Sequence, residues 1–178
     1  VFGGPQVPDQ AEAFLKQHPQ VDLCCHGPGE ELFLALLEAY PQRPWSELPG
    51  VSYLDSRSQY VHVPRAPWKR DLAEIASPYL SGVLDPLLAA HPDERWIASW
   101  ETNRGCPFSC SFCDWGSATR SKVLGFGDAR LEAEIGWFVK HRIKVVFSCD
   151  ANFGILKRDQ QITEAMVQAH QRHGFPQT

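Results

Sequence analysis

Short apolar runs alternate along this chain with segments whose apolar residues recur every three or four positions, and that rhythm predicts strands interleaved with helices. VFGG is a short apolar run closed by two glycines, and PDQAEAFLKQH places Ala11, Phe14 and Leu15 at helical spacing. VDLCCHG repeats the strand pattern and ends on Gly27, and PGEELFLALLEAY carries Leu32, Leu36 and Leu37 along one helical face. Two strand–helix units of this length predict parallel pairing, with the glycine-rich strand ends forming the ligand-binding crest of a doubly wound sheet.

The rhythm breaks over residues 41–95. PQRPWSELPG is proline-rich, VSYL and YVHV flank the polar turn DSRSQ, and HVPRAPW follows, which predicts a small hairpin inside a connection between domains. SPYLSGVLDPLLAAH then predicts a short helical segment. From Trp96 the alternation resumes. WIASWETN reads as a strand, a cysteine-bearing loop follows, DARLEAEIGWFVKHR is an amphipathic helix, IKVVFSCD is a strand, and RDQQITEAMVQAHQRHG is a helix with a glycine stop. There is no internal repeat and no low-complexity segment. The opening inside what reads as a strand, and the close on HGFPQT where another strand is due, predict a piece of a longer protein.

Composition narrows the class. Of 178 residues 43% are hydrophobic, enough to bury a core, and a net charge of -4 offers no generalised basic surface for nucleic acid or anionic membrane. No apolar run approaches the roughly 20 residues that span a bilayer, and the N-terminal residues lack the pattern of a signal peptide, which predicts a cytoplasmic protein with no membrane partner. Six cysteines are present, but Cys24 and Cys25 are adjacent and three others fall within eight positions, so reduced thiols are expected rather than a disulfide framework.

Those three are Cys106, Cys110 and Cys113, in ETNRGCPFSCSFCDWG. Soft thiolates at CxxxCxxC spacing on one glycine- and proline-containing loop suit iron–sulfur or zinc. A four-iron cluster held by three cysteines leaves one iron open to a small chelating molecule. A structural zinc site wants four protein ligands, and only His141 or Cys149 offers a distant fourth. Simple packing of three thiols in a core is the third reading, against which the loop composition argues.

GCPFSCSFCDW, with Phe112 just before the last cysteine, resembles the signature loop of the radical S-adenosylmethionine (SAM) enzymes, and the preceding ETNR resembles the first barrel strand of their cobalamin-binding branch. The resemblance implies that Cys106, Cys110 and Cys113 bind a [4Fe–4S] cluster whose fourth iron is chelated by SAM, and that an external electron donor such as flavodoxin or ferredoxin reduces it. The glycine–glycine–glutamate motif that family members use for the SAM amino group is absent. VVFSCDANFG instead puts Asp150 and Asn152 at the strand end, where their oxygens are candidate acceptors for that ammonium group, although Asp-x-Asn-x-Gly is also ordinary turn chemistry. Phe112 and Trp115 are candidates to wall off the cluster, and Arg120 and Lys122 are loop cations that could meet a carboxylate or phosphate.

The N-terminal residues resemble the carboxyl-terminal half of the cobalamin-binding domain that precedes the barrel in this branch. Gly3, Gly4 and Gly27 mark strand ends where bare backbone lets a corrin or its nucleotide tail approach. His26 is the only nearby candidate cobalt ligand and reads better as a hydrogen-bonded turn residue. Cys24 and Cys25 point to opposite faces of one strand and so cannot chelate one ion together; with Cys149 they read as core residues.

The expected fold is therefore α/β: residues 1–40 as the C-terminal part of a doubly wound cobalamin-binding domain, 41–95 as a proline-rich linker with a hairpin, and 96–178 as the first β/α units of a partial TIM-like radical SAM barrel. The expected activity is SAM cleavage to a 5′-deoxyadenosyl radical within a cobalamin-dependent methyltransferase acting on an unactivated carbon or phosphorus centre of a small molecule or peptide. Another radical SAM reaction (ring closure, rearrangement, sulfur insertion) is the nearer alternative, and a zinc-binding interaction module the more distant one.

Overall fold

A computed structural model describes residues 1–40, 42, 44–67, 71–113 and 122–177. The chain divides into two compact units, Val1–Lys69 with Ser111–Ser117, and Arg70–Cys110 with Ala118–Thr178.

In the first unit, helix α1 (Glu12–Gln17) is followed by strand β1 (Leu23–Cys25), helix α2 (Gly29–Ala39) and the hairpin β2 (Val51–Leu54) and β3 (Tyr60–His62). The side chains of β1 alternate as a strand requires. Cys24 is fully buried with Ala11 and Leu15 under α1, whereas Leu23 and Cys25 pack with Leu32, Leu36 and Val51 under α2. Helices thus cover both faces of the sheet, and both cysteines are core residues as expected. Burial pushes both thiols above their ordinary pKa, which keeps them protonated and inert.

The hairpin is not a free linker element. Its turn is closed by Asp55, whose Oδ1 accepts the backbone N–H groups of Arg57 and Gln59 at 2.8 Å each. β2 then pairs antiparallel with β1, Cys24 opposite Ser52, so the hairpin extends the first unit's sheet in the order β1-β2-β3. Among the described residues of this unit, parallel pairing survives only at the bridge between Phe2 and Cys24. The sheet is mixed rather than parallel because β1 would otherwise expose an unpaired backbone edge, which Gly50 and β2 satisfy; His26 N donates to Gly50 O at 2.7 Å.

The second unit holds α3 (Asp85–Ala90), β4 (Ile97–Trp100), β5 (Asn103–Arg104), β6 (Leu124–Gly125), α4 (Asp128–Lys140), β7 (Val145–Ser148) and α5 (Asp159–His173). β4 and β7 run parallel, Ile97 opposite Val145 and Trp100 opposite Ser148. Ala98 and Trp100 turn into a core with Leu131, Ile135, Phe138 and Ile162 from α4 and α5. The other face carries Ile97 and Phe147, 66% and 64% exposed. Gly174 stops α5 in the left-handed conformation, φ 75°, as the sequence predicts.

Strand WIASWETN is shorter than expected. After Trp100 the chain turns, and Asn103–Arg104 pairs antiparallel with Leu124–Gly125, a strand the sequence did not announce. Inside the core, α4 presents Glu134, 1% exposed. Its Oε1 accepts Ser77 Oγ at 2.6 Å and Arg130 Nε at 2.9 Å, and its Oε2 accepts Trp100 Nε1 at 2.6 Å. Arg130 also lies 4.1 Å over the Phe126 ring. Each oxygen of this buried carboxylate is satisfied, the condition under which burial of a charge is tolerated.

Candidate functional site

Two strand-end sites emerge, one in each unit. In the first, the parallel bridge at Phe2 sets Gly3–Gly4 beside the end of β1, and Phe2 N donates to Leu23 O (2.9 Å) while Cys25 N donates to Phe2 O (2.8 Å). Gly4 and Gly27 both have positive φ, 97° and 96°. A side chain at Gly4 would meet nothing within 4 Å, whereas one at Gly27 would lie 3.3 Å from Arg65 Cδ. The crest is bare backbone that a bulky planar cofactor could approach. His26 is not part of an open site. It is buried, its Nε2 lies 2.8 Å from Ser52 Oγ, and burial, followed by His62 and Arg65, lowers its pKa.

In the second unit the carboxyl ends of β4 and β7 lie side by side, and Cys149 N continues the ladder to Trp100 O at 2.7 Å. Asp150 stands just beyond. Its Oδ1 accepts Thr102 N (2.6 Å) and Asn103 N (3.0 Å), and its Oδ2 accepts Thr102 Oγ1 (2.5 Å) and Asn103 Nδ2 (3.1 Å). Four bonds fill the roughly four lone-pair sites of a carboxylate. Asn152 differs, since its Nδ2 is buried without a hydrogen-bond partner, as are Ser148 Oγ and Asn103 Oδ1. Unpaired buried polar atoms of this kind are groups that a polar ligand or an ordered water satisfies.

The cysteine loop begins immediately after β5. None of the six cysteines stands in a disulfide; Cys106 is buried, and Cys110 and Cys113 are exposed. Among the described residues no group of three His, Cys, Asp or Glu side chains stands close enough to hold a metal ion. The donor chemistry nevertheless fits an iron–sulfur cluster: three reduced thiols, one anchored in the fold and two open to a ligand. His141 does not offer itself as a fourth zinc ligand, because it caps the C-terminus of α4, which leads into the amino end of β7, whereas the cysteine loop lies beyond the carboxyl end of β4. Cys149 is exposed rather than in the core, because it shares the strand face of Phe147.

Phe112 is 90% exposed, and Lys122 is exposed. Trp115 and Arg120 lie outside the described residues. Sequence reasoning missed Thr102, Asn103, Arg158 and Glu134. Glu134 had a signal, since it falls between Leu131, Ile135 and Phe138 on the buried row of α4.

Fold and loop together define an α/β protein presenting soft ligands at the carboxyl ends of parallel strands. No family model matches the chain. It is 45% identical over 99% of its length to the cobalamin-dependent radical SAM methyltransferase TokK of Streptomyces tokunonensis. It is 47% identical, again over 99%, to the 2-(S-pantetheinyl)-carbapenam-3-carboxylate methyltransferase of Streptantibioticus cattleyicolor. The chain spans 26% of the length of each. Among solved structures, the radical SAM methyltransferase TsrM of Kitasatospora setae, with cobalamin and a [4Fe–4S] cluster bound, matches with a TM-score of 0.64 at 17% identity, covering 98% of this chain and 34% of that one, a likeness of fold. Over nearly its whole length the chain resembles the cobalamin-dependent radical S-adenosylmethionine enzymes. No helix among the described residues is long and apolar enough to cross a membrane.

Proposed function

We propose that the protein to which these residues belong is a cobalamin-dependent radical SAM methyltransferase, in which Cys106, Cys110 and Cys113 hold a [4Fe–4S] cluster. The observation that carries this reading is the CxxxCxxC loop leaving the carboxyl end of the first parallel strand, in a chain alike over nearly all its length to two methyltransferases of that family. When bound, the cluster supplies the electron that cleaves SAM to methionine and a 5′-deoxyadenosyl radical, and cobalamin supplies a methyl carrier.

The chain's own residues bind and orient. Asn152, beyond the end of β7 with its Nδ2 unpaired, is the residue that meets the amino or carboxylate group of SAM. Which of the two amide atoms of Asn152 faces the ligand is an assignment, so it serves either as donor or as acceptor. Phe112, exposed beside Cys113, shields the cluster from water. Gly3, Gly4 and Gly27 give the corrin or its nucleotide tail access to the backbone crest. The substrate is a small molecule; a pantetheinylated carbapenam, the substrate class of one relative's name, is the first to assay. An external flavodoxin- or ferredoxin-type donor supplies the electron.

The test is anaerobic purification of the full-length protein with iron, sulfide and cobalamin, followed by assay for 5′-deoxyadenosine and methylated product. Replacing any one of Cys106, Cys110 and Cys113 by Ala abolishes cleavage, whereas Cys24→Ala and Cys149→Ala leave it largely intact. Cleavage surviving a loop-cysteine replacement refutes the ligand assignment.

A further inference from the structure

We infer that Asp150 and Arg158 are positioning residues that fix the take-off of the cysteine loop, holding the backbone of Thr102 and Asn103 from two sides. The inference rests on the reading that this loop carries the cluster, and it gives Asp150 a different task from contacting SAM.

Thr102 and Asn103 are 0% and 1% exposed. From the β7 side, Asp150 takes both of their backbone N–H groups and both of their side-chain donors. From the α5 side, Arg158 donates Nη2 to Thr102 O at 2.6 Å, while its Nη1 donates to Phe126 O and, at 2.9 Å, to Asp128 Oδ1. Thr102 O also accepts Phe126 N at 3.0 Å. Every polar group of Thr102 is therefore engaged, by three segments distant in sequence. The guanidinium reaches its place because residue 125 is glycine: a Cβ there would stand 2.5 Å from Arg158 Nη2. Gly125 has no positive φ, so its use here is space and not backbone freedom.

Downstream the constraint has an end point. Gly105 has φ 103°, in the left-handed region that favours glycine, and the buried Cys106 follows it. The clamped dipeptide thus stands three residues before the first ligand. Charged hydrogen bonds to backbone are stronger and more directional than neutral ones, so a carboxylate and a guanidinium on one dipeptide make a rigid post. Outer partners that orient a ligand typically cost roughly 10–100-fold in metal affinity or activity when removed.

The experiment uses the full-length protein. Asp150→Asn keeps the shape but presents an NH2 group to donors, and Gly125→Ala displaces the Arg158 guanidinium without altering Arg158. Ser77→Ala, which removes a buried bond to Glu134 and leaves the bonds of Asp150 and Arg158 in place, serves as the control for destabilisation alone. Hydrogen exchange is read on peptides covering Thr102 and Asn103. Iron content and the electron paramagnetic resonance spectrum of the reduced cluster, with and without SAM, are read after reconstitution. The expected result is faster exchange confined to the 102–106 peptide, and an altered cluster spectrum or a roughly 10–100-fold weaker retention of iron, in both Asp150→Asn and Gly125→Ala and not in Ser77→Ala. Wild-type exchange and spectrum in both variants, or the same changes in Ser77→Ala, overturn the inference. Cys106→Ala separates the two claims: if it keeps the cluster, the reading of the loop fails, and if it loses the cluster while both clasp variants match wild type, only the clasp fails.

Discussion

The two strand-end sites are built in opposite ways. At the crest of the first unit, Gly3, Gly4 and Gly27 expose backbone, and the nearby His26 is buried, which lowers its pKa. At the corresponding end of the second unit, charged side chains converge: Asp150 and Arg158 on Thr102, with the buried Glu134 network beneath Trp100. The difference fits the task proposed for each end. A wide cofactor that is held by shape wants bare backbone and room, whereas a ligand loop that must present thiols at fixed positions wants a rigid base.

That contrast can be broken first at Glu134. Glu134→Ala leaves Arg130, Ser77 and Trp100 without their buried acceptor, and breaking such a pair costs about 3–5 kcal/mol, so thermal or denaturant unfolding followed in the second unit should shift strongly. Glu134→Gln, which keeps an acceptor oxygen, should cost distinctly less. An equal loss in both would show that the charge, and not the acceptor oxygen that Gln retains, carries the stabilisation.

At the first crest, Gly27→Ala forces a side chain into a left-handed residue beside Arg65, costing about 1–2 kcal/mol. If the crest admits cobalamin, this change weakens cobalamin retention in the full-length protein while the iron content stays at wild-type level. Gly4→Ala imposes similar backbone strain but meets open space, so its effect on retention separates strain from contact with the cofactor.

The smallest effects lie in pH. His26 has a lowered pKa, so the unfolded chain binds a proton that the folded one refuses, and the first unit loses stability as pH falls below about 6.5. Tyr79 has the opposite sign. Its phenol donates to Ser99 O, and burial first, then Glu134, raises its pKa to about 12. The unfolded tyrosine ionises from about 10, so the stability that Tyr79 gives the second unit is intact below that pH and is lost as pH rises toward 12. Hydrogen exchange resolved by unit should show acid loosening the first and alkali the second, and Tyr79→Phe should flatten the alkaline limb.

The sequence made the local elements readable and left their partners hidden. α4 and α5 were legible because their apolar residues repeat at helical period and a glycine closes α5. The hairpin was legible from DSRSQ, but not its pairing with β1, since antiparallel extension of a sheet depends on an edge many residues away. Cys106, Cys110 and Cys113 stood out by spacing alone. Thr102 and Arg158 did not, because 56 residues separate them and neither has a motif. Asp150 was noticed for its place at a strand end, and the side-chain geometry then showed its carboxylate turned onto Thr102 and Asn103.

The central claim is that three thiols of one loop hold a cluster with an open iron. Oxygen-free full-length protein reconstituted with iron and sulfide tests it most directly, by iron stoichiometry and by the paramagnetic resonance of the reduced cluster on addition of SAM. The account predicts about four irons bound through this loop and a spectrum that SAM changes, both lost in Cys106→Ala. A colourless protein carrying one zinc, or a cluster that ignores SAM and survives Cys106→Ala, would contradict it.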